Sequence, residues 1–327
     1  MTYLTVGVIG SGFIARQHLR SWMTSGARII IFSQDLMEAE RLATEHGGRA
    51  VGTLRELLDE CDIADVCTPT DQHLDVVAEA ASARVDVICE KPLARTTREA
   101  RQIVALCENA GVKLFPAHVV RFIPQYEAAY KEVRQGSLGE LAVMHLYRSG
   151  PRPTWSKWFS DVSRSGGLLM DFLIHDYDIA LWLAGPVRRV FARSVRGEGE
   201  DGKEIGIVVL THESGAISHV EGTWTAGNQP LTSSFRLYGD RGYLVSGTYP
   251  GQDIHWRDDS GATRRLVVSP GLVGSTPFDR ELANFAAAAA GTASAAVEPV
   301  DGLLAVQVAE AAIESAKLKV AVDVEGE

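Results

Sequence analysis

The sequence predicts an α/β protein: an N-terminal Rossmann-like, doubly wound parallel sheet, then a C-terminal α+β domain with a large, mainly antiparallel open sheet. Three observations predict it. Apolar runs of strand length alternate with helix-spaced segments as far as residue 117, and such alternation builds a parallel sheet covered on both faces through right-handed crossovers. A glycine turn, Gly10-Ser-Gly12, joins the first run to the first helix. Beyond about residue 120, strand-like segments are joined by short polar or glycine links such as Glu213-Ser-Gly215, the signature of antiparallel hairpins.

Leu4 to Ile9 has the β-branched content of a strand buried on both faces, and a helical pattern starts near Phe13. Between and just beyond them, Gly10, Gly12 and Ala15 fill the three places of the fingerprint G-x-G-x-x-G/A. Gly10 permits the tight turn, Gly12 leaves no side chain between backbone and pyrophosphate, and Ala15 lets helix and strand pack closely. Free amides at the helix start then face the phosphates. A purely structural glycine turn is the competing reading. Further strands are expected at 28–33, 63–68, 85–89 and 113–117, with helices over 35–46, 71–83 and 96–110. In the second half helices are expected over 121–135, 167–183, 278–290 and 303–317. Strands are expected at 140–148, 188–197, 204–212, 215–226, 233–239 and 242–246. Residues 1–120 then form a dinucleotide-binding domain and 121–327 a domain for substrate binding and oligomerisation, whose terminal helix can pack back on the first. The outer face of its sheet needs a cover, and a second subunit in a homodimer or homotetramer is the expected one.

The formal charge, 32 basic against 42 acidic residues, is −10. That counts against a nucleic acid or an anionic membrane as partner. No apolar run reaches the length of a transmembrane helix and no signal peptide opens the chain. Cys61, Cys67, Cys89 and Cys107 include no C-x-x-C pair. The expectation is a cytoplasmic protein with reduced thiols and no metal centre.

Three stretches carry chemistry. Ser33 ends the second strand, where an Asp or Glu commonly accepts hydrogen bonds from the NAD ribose. A serine does not repel a 2′-phosphate, so the cofactor expected is NADP or NAD, with NADP slightly favoured. Cys89-Glu90-Lys91-Pro92 comes off a buried strand at the sheet's carboxyl edge. Lys91 there can steady a developing alkoxide, or Glu90 and Lys91 can be an exposed pair of little consequence. In Gly166-Gly-Leu-Leu-Met-Asp-Phe-Leu-Ile-His-Asp-Tyr-Asp178, Asp171 and His175 stand at i and i+4 and Asp178 at i+3 from the histidine. A carboxylate beside an imidazole suits a general base. The alternatives are an internally bonded core histidine and a zinc or manganese site. Trp155, Trp158, Lys157 and Arg164 precede this helix; the tryptophans suit stacking on a sugar ring, or a core or an interface, and the cations suit hydroxyls or a carboxylate.

Taken together, GVIGSGFIA, CEKPLA, AHVVRFIPQY and GGLLMDFLIHDYDIALWL resemble the glucose–fructose oxidoreductase/inositol dehydrogenase (Gfo/Idh/MocA) family over nearly the whole chain. The resemblance implies that Lys91 contacts the substrate hydroxyl and the cofactor ribose, and that His175 is the acid/base oriented by Asp171. It implies that Phe13 and Ile14 supply phosphate-loop amides, and that Thr68, Pro69 and His73, with Glu90, lie along the dinucleotide. Arg121, in the R-F-x-P turn between domains, is as much a structural as a catalytic candidate. Two departures stand out: Ser33 in place of the acidic residue, and Phe172 and Ile174 in place of smaller residues, which narrow the pocket or change its neighbours.

The function expected is NAD(P)-dependent hydride transfer between nicotinamide and a secondary alcohol or ketone of a sugar, cyclitol or polyol. Lys91, Trp158, Arg164 and His175 would meet the substrate, with the ammonium and the imidazole converging on one nicotinamide ring. Two alternatives are kept: an NAD(P)-dependent glycosidase working by transient oxidation, and a non-catalytic dinucleotide-binding regulatory protein.

Overall fold

A computed structural model describes residues 4–153, 157–197, 203–225, 230–247, 254–258, 263–266 and 275–324. Contacts divide the chain into one unit of Met1–Phe122 with Gly274–Leu303 and another of Ile123–Val273 with Leu304–Glu327.

Strand–helix alternation organises the first unit. In chain order its elements are β1 (Thr5–Ile9), α1 (Phe13–Ser25), β2 (Arg28–Phe32), α2 (Leu36–His46), β3 (Arg49–Ala50), α3 (Leu54–Leu58), β4 (Ile63–Val66), α4 (His73–Ser82), β5 (Asp86–Glu90), α5 (Thr97–Ala110) and β6 (Leu114–Ala117). The strands lie in the order β3-β2-β1-β4-β5-β6 and every pairing is parallel. This is the doubly wound order whose switch point falls between β1 and β4, the place where such sheets bind ligands. Short β3 and α3 were not expected; Thr53 accepts a hydrogen bond from Glu56 N–H and caps α3. The helix expected from residue 71 begins instead with a 3₁₀ turn, Thr70–Gln72, before α4.

The helix expected over 121–135 is two pieces, a 3₁₀ turn at Val119–Phe122 and α6 (Pro124–Arg134). Proline at the first helical position lacks an N–H to bond backwards, and it pushes the residue before it out of the helical region. Ile123 is accordingly extended, with φ −74° and ψ 124°. There follow β7 (Leu141–Pro151), α7 (Val162–Ser165), α8 (Ile174–Ala184), β8 (Val187–Arg196), β9 (Glu204–His212), β10 (Ile217–Thr225), β11 (Thr232–Gly239), β12 (Gly242–Ser246), β13 (Ile254–Asp258), β14 (Thr263–Leu266), α9 (Pro277–Ala289), α10 (Pro299–Leu318) and β15 (Val322–Asp323). Nine strands form one sheet in the order β14-β13-β12-β11-β7-β10-β9-β8-β15. It is antiparallel except at its centre, where β10 runs parallel to β7.

The helix α9 packs in the first unit although it comes late in the chain. Leu282 and Phe285 join the core of Val8, Leu19, Trp22 and Phe115, and the Phe285 ring stacks on Phe115 at 5.3 Å between centroids. Lys113 donates from Nζ to Ala288 O and Ala289 O, satisfying the last carbonyls of α9. Arg121, buried in this unit, donates to Asp301 Oδ2 and Ala296 O, both at 3.1 Å.

Candidate active site

The turn between β1 and α1 needs glycine for two different reasons. Gly10 has φ +119°, and a Cβ there would stand 2.7 Å from Cys67 O. Gly12 has an ordinary φ of −73°, and a Cβ there would meet nothing within 4 Å, so the space beside it is open. No side chain caps α1 and no acidic residue stands in its first turn, so nothing negative at the helix start opposes an anion there. Thr68, beyond the end of β4, has a buried Oγ1 without a partner among the described residues. A helix start without a side-chain cap, a bare glycine and an orphaned hydroxyl at one sheet edge fit the pyrophosphate and ribose of a dinucleotide.

At the end of β2, Ser33 Oγ lies 2.9 Å from Ser11 Oγ and accepts the Asp35 N–H at 3.3 Å. Asp35 itself caps α2 by accepting from Glu38 N–H. Glu38 draws in two guanidiniums: Arg16 donates to its Oε1, and Arg41 donates Nε to Oε2 at 2.8 Å and Nη2 to Oε1 at 3.0 Å.

Glu90 and Lys91 are not the exposed pair that was one reading of their spacing. Glu90 is 6% exposed; its Oε2 accepts the Lys91 N–H at 2.9 Å and its Oε1 lies 3.3 Å from His18 Nε2. Lys91, half-buried, begins the turn after β5, and its peptide bond to Pro92 is cis. The ring of His73 is buried, with Nδ1 3.0 Å from Pro92 O and Nε2 3.0 Å from Thr68 O. Burial pushes its pKa down. The histidine thus bridges the Thr68–Pro69 loop and the Lys91–Pro92 turn.

His18 and Asp65 belong to none of the motifs that the sequence singles out. Both are fully buried, and His18 Nδ1 sits 3.0 Å from each Asp65 carboxylate oxygen while Trp22 Nε1 donates to Oδ2 at 2.7 Å. A signal existed: an aspartate inside the apolar run Ile63-Ala-Asp-Val66 has no water to reach and must find a partner. Burial works against the charged ring, but the Asp65 carboxylate wins and holds His18 well above the usual imidazole range. His18, Asp65 and Cys67 also form the group of potential ligand atoms, among the described residues, compact enough to hold a metal ion. Asp171, His175 and Asp178 do not form such a group.

In the second unit the expected continuous helix over 167–183 is broken. Leu168–Phe172 is a single π turn, closed by Leu173 N–H to Leu168 O at 3.0 Å, and α8 starts after it. Asp171 therefore lies on the wider turn and His175 on the first turn of α8. The cause lies beneath. Gly206 and Gly222 are cross-strand partners on β9 and β10, and a Cβ at Gly222 would stand 2.3 Å from Leu173 Cδ2, one at Gly206 2.9 Å from Leu169 Cδ2. The two bare backbones let the π turn sit directly on the sheet. Asp171 is buried and His175 half-buried. Asp176, between His175 and Tyr177, is fully buried and accepts from Arg148 Nε of β7 at 2.6 Å and Nη2 at 3.1 Å. Ile174 is buried in the core, while Phe172 is half-buried, with Trp224 5.9 Å away between ring centroids.

Of the residues before this helix, Trp158 stacks on Phe159 at 4.0 Å between centroids, and Arg164 lies half-buried in α7. Trp155 falls outside the described residues. All four cysteines are free thiols. Among the described residues no helix is long and apolar enough to cross a membrane.

Residues 4–118 match the Gfo/Idh/MocA description "Oxidoreductase family, NAD-binding Rossmann fold", and residues 126–245 match "GFO/IDH/MocA C-terminal domain". D-apiose dehydrogenase from Paraburkholderia graminis is 32% identical over 232 residues, 65% of this chain and 59% of that protein, so the match spans less than two thirds of that relative. Inositol 2-dehydrogenase from Rhizobium meliloti is 24% identical over 94% of this chain and 96% of its own length. Among solved structures, an oxidoreductase domain protein from Kribbella flavida superposes with TM-score 0.89 at 21% identity, covering all of both chains. A levoglucosan dehydrogenase in complex with NADH and L-sorbose superposes with TM-score 0.88 at 22% identity, also covering all of both. These likenesses establish the fold, and with the two matched domains they place the chain in the Gfo/Idh/MocA oxidoreductase family.

Proposed function

We propose that this protein is an NAD(P)-dependent dehydrogenase or reductase acting on a secondary alcohol, or the matching ketone, of a sugar, cyclitol or polyol. One observation carries the reading: Lys91 follows β5 on the same parallel sheet whose β1–α1 turn leads into a helix start without a side-chain cap, with β4 alone between the two strands. The dinucleotide, when bound, supplies the hydride acceptor. Gly10, Gly12 and the amides of Phe13 and Ile14 hold its pyrophosphate, with Ser33, Thr68, Pro69, His73 and Glu90 shaping the rest of that site. Lys91 donates a hydrogen bond to the reacting oxygen and steadies its negative character. His175 takes the hydroxyl proton, and Asp171 keeps that imidazole oriented. Trp158 and Arg164 line the sugar's side. Relatives named for apiose and inositol support the substrate class.

For the cofactor, Ser33 tolerates a 2′-phosphate, but Arg16 and Arg41 are both committed to Glu38. That commitment supports NAD over NADP as the working cofactor, against the weight of Ser33 alone. For assembly, the outer face of the nine-stranded sheet exposes Phe191, Val195, Ile205, Ile207 and Ile217, which suits a second copy of the chain.

The test is turnover and binding together. Lys91→Ala and His175→Ala should each lower kcat about 10²- to 10⁴-fold on a panel including D-apiose and myo-inositol, with NAD affinity kept. Wild-type turnover in either variant refutes its role. Product sugar without net cofactor reduction would mark a glycosidase, and tight dinucleotide binding without hydride transfer a regulatory protein.

A further inference from the structure

The first unit contains a buried charged array that the proposed chemistry does not by itself require. Asp65 on β4 and Glu90 at the end of β5 flank His18 on α1, Asp65 at 3.0 Å from Nδ1 and Glu90 at 3.3 Å from Nε2. Nδ1 is hydrogen-bonded to Asp65, whereas Nε2 has no hydrogen-bond partner among the described residues and meets Glu90 only as an ion pair outside hydrogen-bond geometry. An imidazolium attracts both carboxylates, and a neutral ring leaves one of them against a lone pair. The remaining neighbours are Trp22, which donates to Asp65, the Cys67 thiol 3.5 Å from His18 Nδ1, and the Phe278 ring 5.6 Å from the imidazole. Past the array, the second oxygen of Glu90 accepts the Lys91 N–H.

We propose that Asp65 and His18 are positioning residues for Lys91: the imidazolium, held by Asp65, clamps Glu90 so that Glu90 fixes the backbone from which the Lys91 side chain departs. The array ties the helix whose amides receive the pyrophosphate to the strand end that presents the ammonium, so the two share one register. This rests on the reading of Lys91 as the residue that meets the reacting oxygen. The chemistry it serves is placement: a shift of about 1 Å at a reacting group can cost 10²-fold in rate.

The array makes the placement depend on one proton. Asp65→Asn keeps the shape at residue 65 but removes the charge that holds His18 protonated, so near pH 8 Glu90 faces a neutral nitrogen and is released. Two readouts follow in the full-length chain. By NMR hydrogen exchange without cofactor, the protection factor of the Lys91 amide should fall about tenfold or more in the variant at pH 8 and recover by pH 6, while it stays high in the wild type at both. With NAD and a polyol substrate from the panel, kcat should fall roughly 10- to 100-fold at pH 8, the variant-to-wild-type ratio should climb towards one as pH falls to 6, and NAD affinity should hold. A merely structural role predicts no such pH dependence. His18→Gln, which cannot carry the charge, should lose Lys91 protection at both pH values, and it serves alone if Asp65→Asn does not fold. Wild-type protection in His18→Gln, or a pH-independent ratio in Asp65→Asn, overturns the proposal. If Lys91→Ala abolishes turnover while Asp65→Asn and His18→Gln behave as wild type, the array fails and the reading of Lys91 stands; wild-type turnover in Lys91→Ala sinks both.

Discussion

Arg148 grips Asp176 through Nε at 2.6 Å and Nη2 at 3.1 Å, both side chains buried, and so ties the neighbour of His175 to the central strand of its sheet. Removing the guanidinium strands a carboxylate in the interior. Arg148→Met should cost about 3–5 kcal/mol and lower the melting temperature by roughly 6–20 °C. Differential scanning calorimetry checks it; an unchanged transition would mean that the pair holds nothing in place.

The seat under the π turn makes a second prediction. A methyl at residue 222 would overlap Leu173, and crowding of this kind costs about 1–3 kcal/mol. Gly222→Ala should therefore displace the turn carrying Asp171. Turnover should drop more steeply than NAD affinity, because the phosphate turn lies in the other unit. Equal losses in both would point to general unfolding.

Cofactor choice turns on Glu38. Glu38→Gln should loosen Arg16 and Arg41 from the carboxylate they share, leaving Arg41 on Glu45 through Nη1 at 2.8 Å, and raise affinity for NADP about tenfold, the worth of roughly one charged hydrogen bond. NAD affinity should change little. Calorimetric titration with both dinucleotides decides it; an unaltered NADP constant would place the 2′-phosphate site elsewhere.

The buried histidines pull stability in opposite directions with pH. His212 bonds Gly185 O through Nδ1 at 2.8 Å and Ser218 Oγ through Nε2 at 2.7 Å, and burial holds its pKa below the usual value. The unfolded chain binds a proton there near pH 6.5 that the folded chain refuses. The stability His212 contributes is thus present above about pH 6.5 and lost as pH falls. For His18 the folded pKa is raised, so its contribution is full below about pH 6.5 and lost as pH rises through the folded value. His212→Gln should flatten the acid-side fall in melting temperature between about pH 7.5 and 5.5, by at most one proton's worth, about 1.4 kcal/mol per pH unit. An identical slope in variant and wild type would show that His212 does not titrate on unfolding.

Local signals were enough for five of the first unit's six strands, all but the short β3, and for the glycine turn, because period and turn chemistry are written within a few positions of one another. Pro124 is visible in the sequence too, and it splits the helix expected over 121–135. The rest depended on residues far apart in the chain. Asp65 meets His18 across 47 positions, β10 lies parallel to β7, and Gly206 and Gly222 open a seat for leucines on another element. Only tertiary packing could choose these, since a buried charge, a strand's neighbour or a space beneath a helix is defined by what stands opposite it.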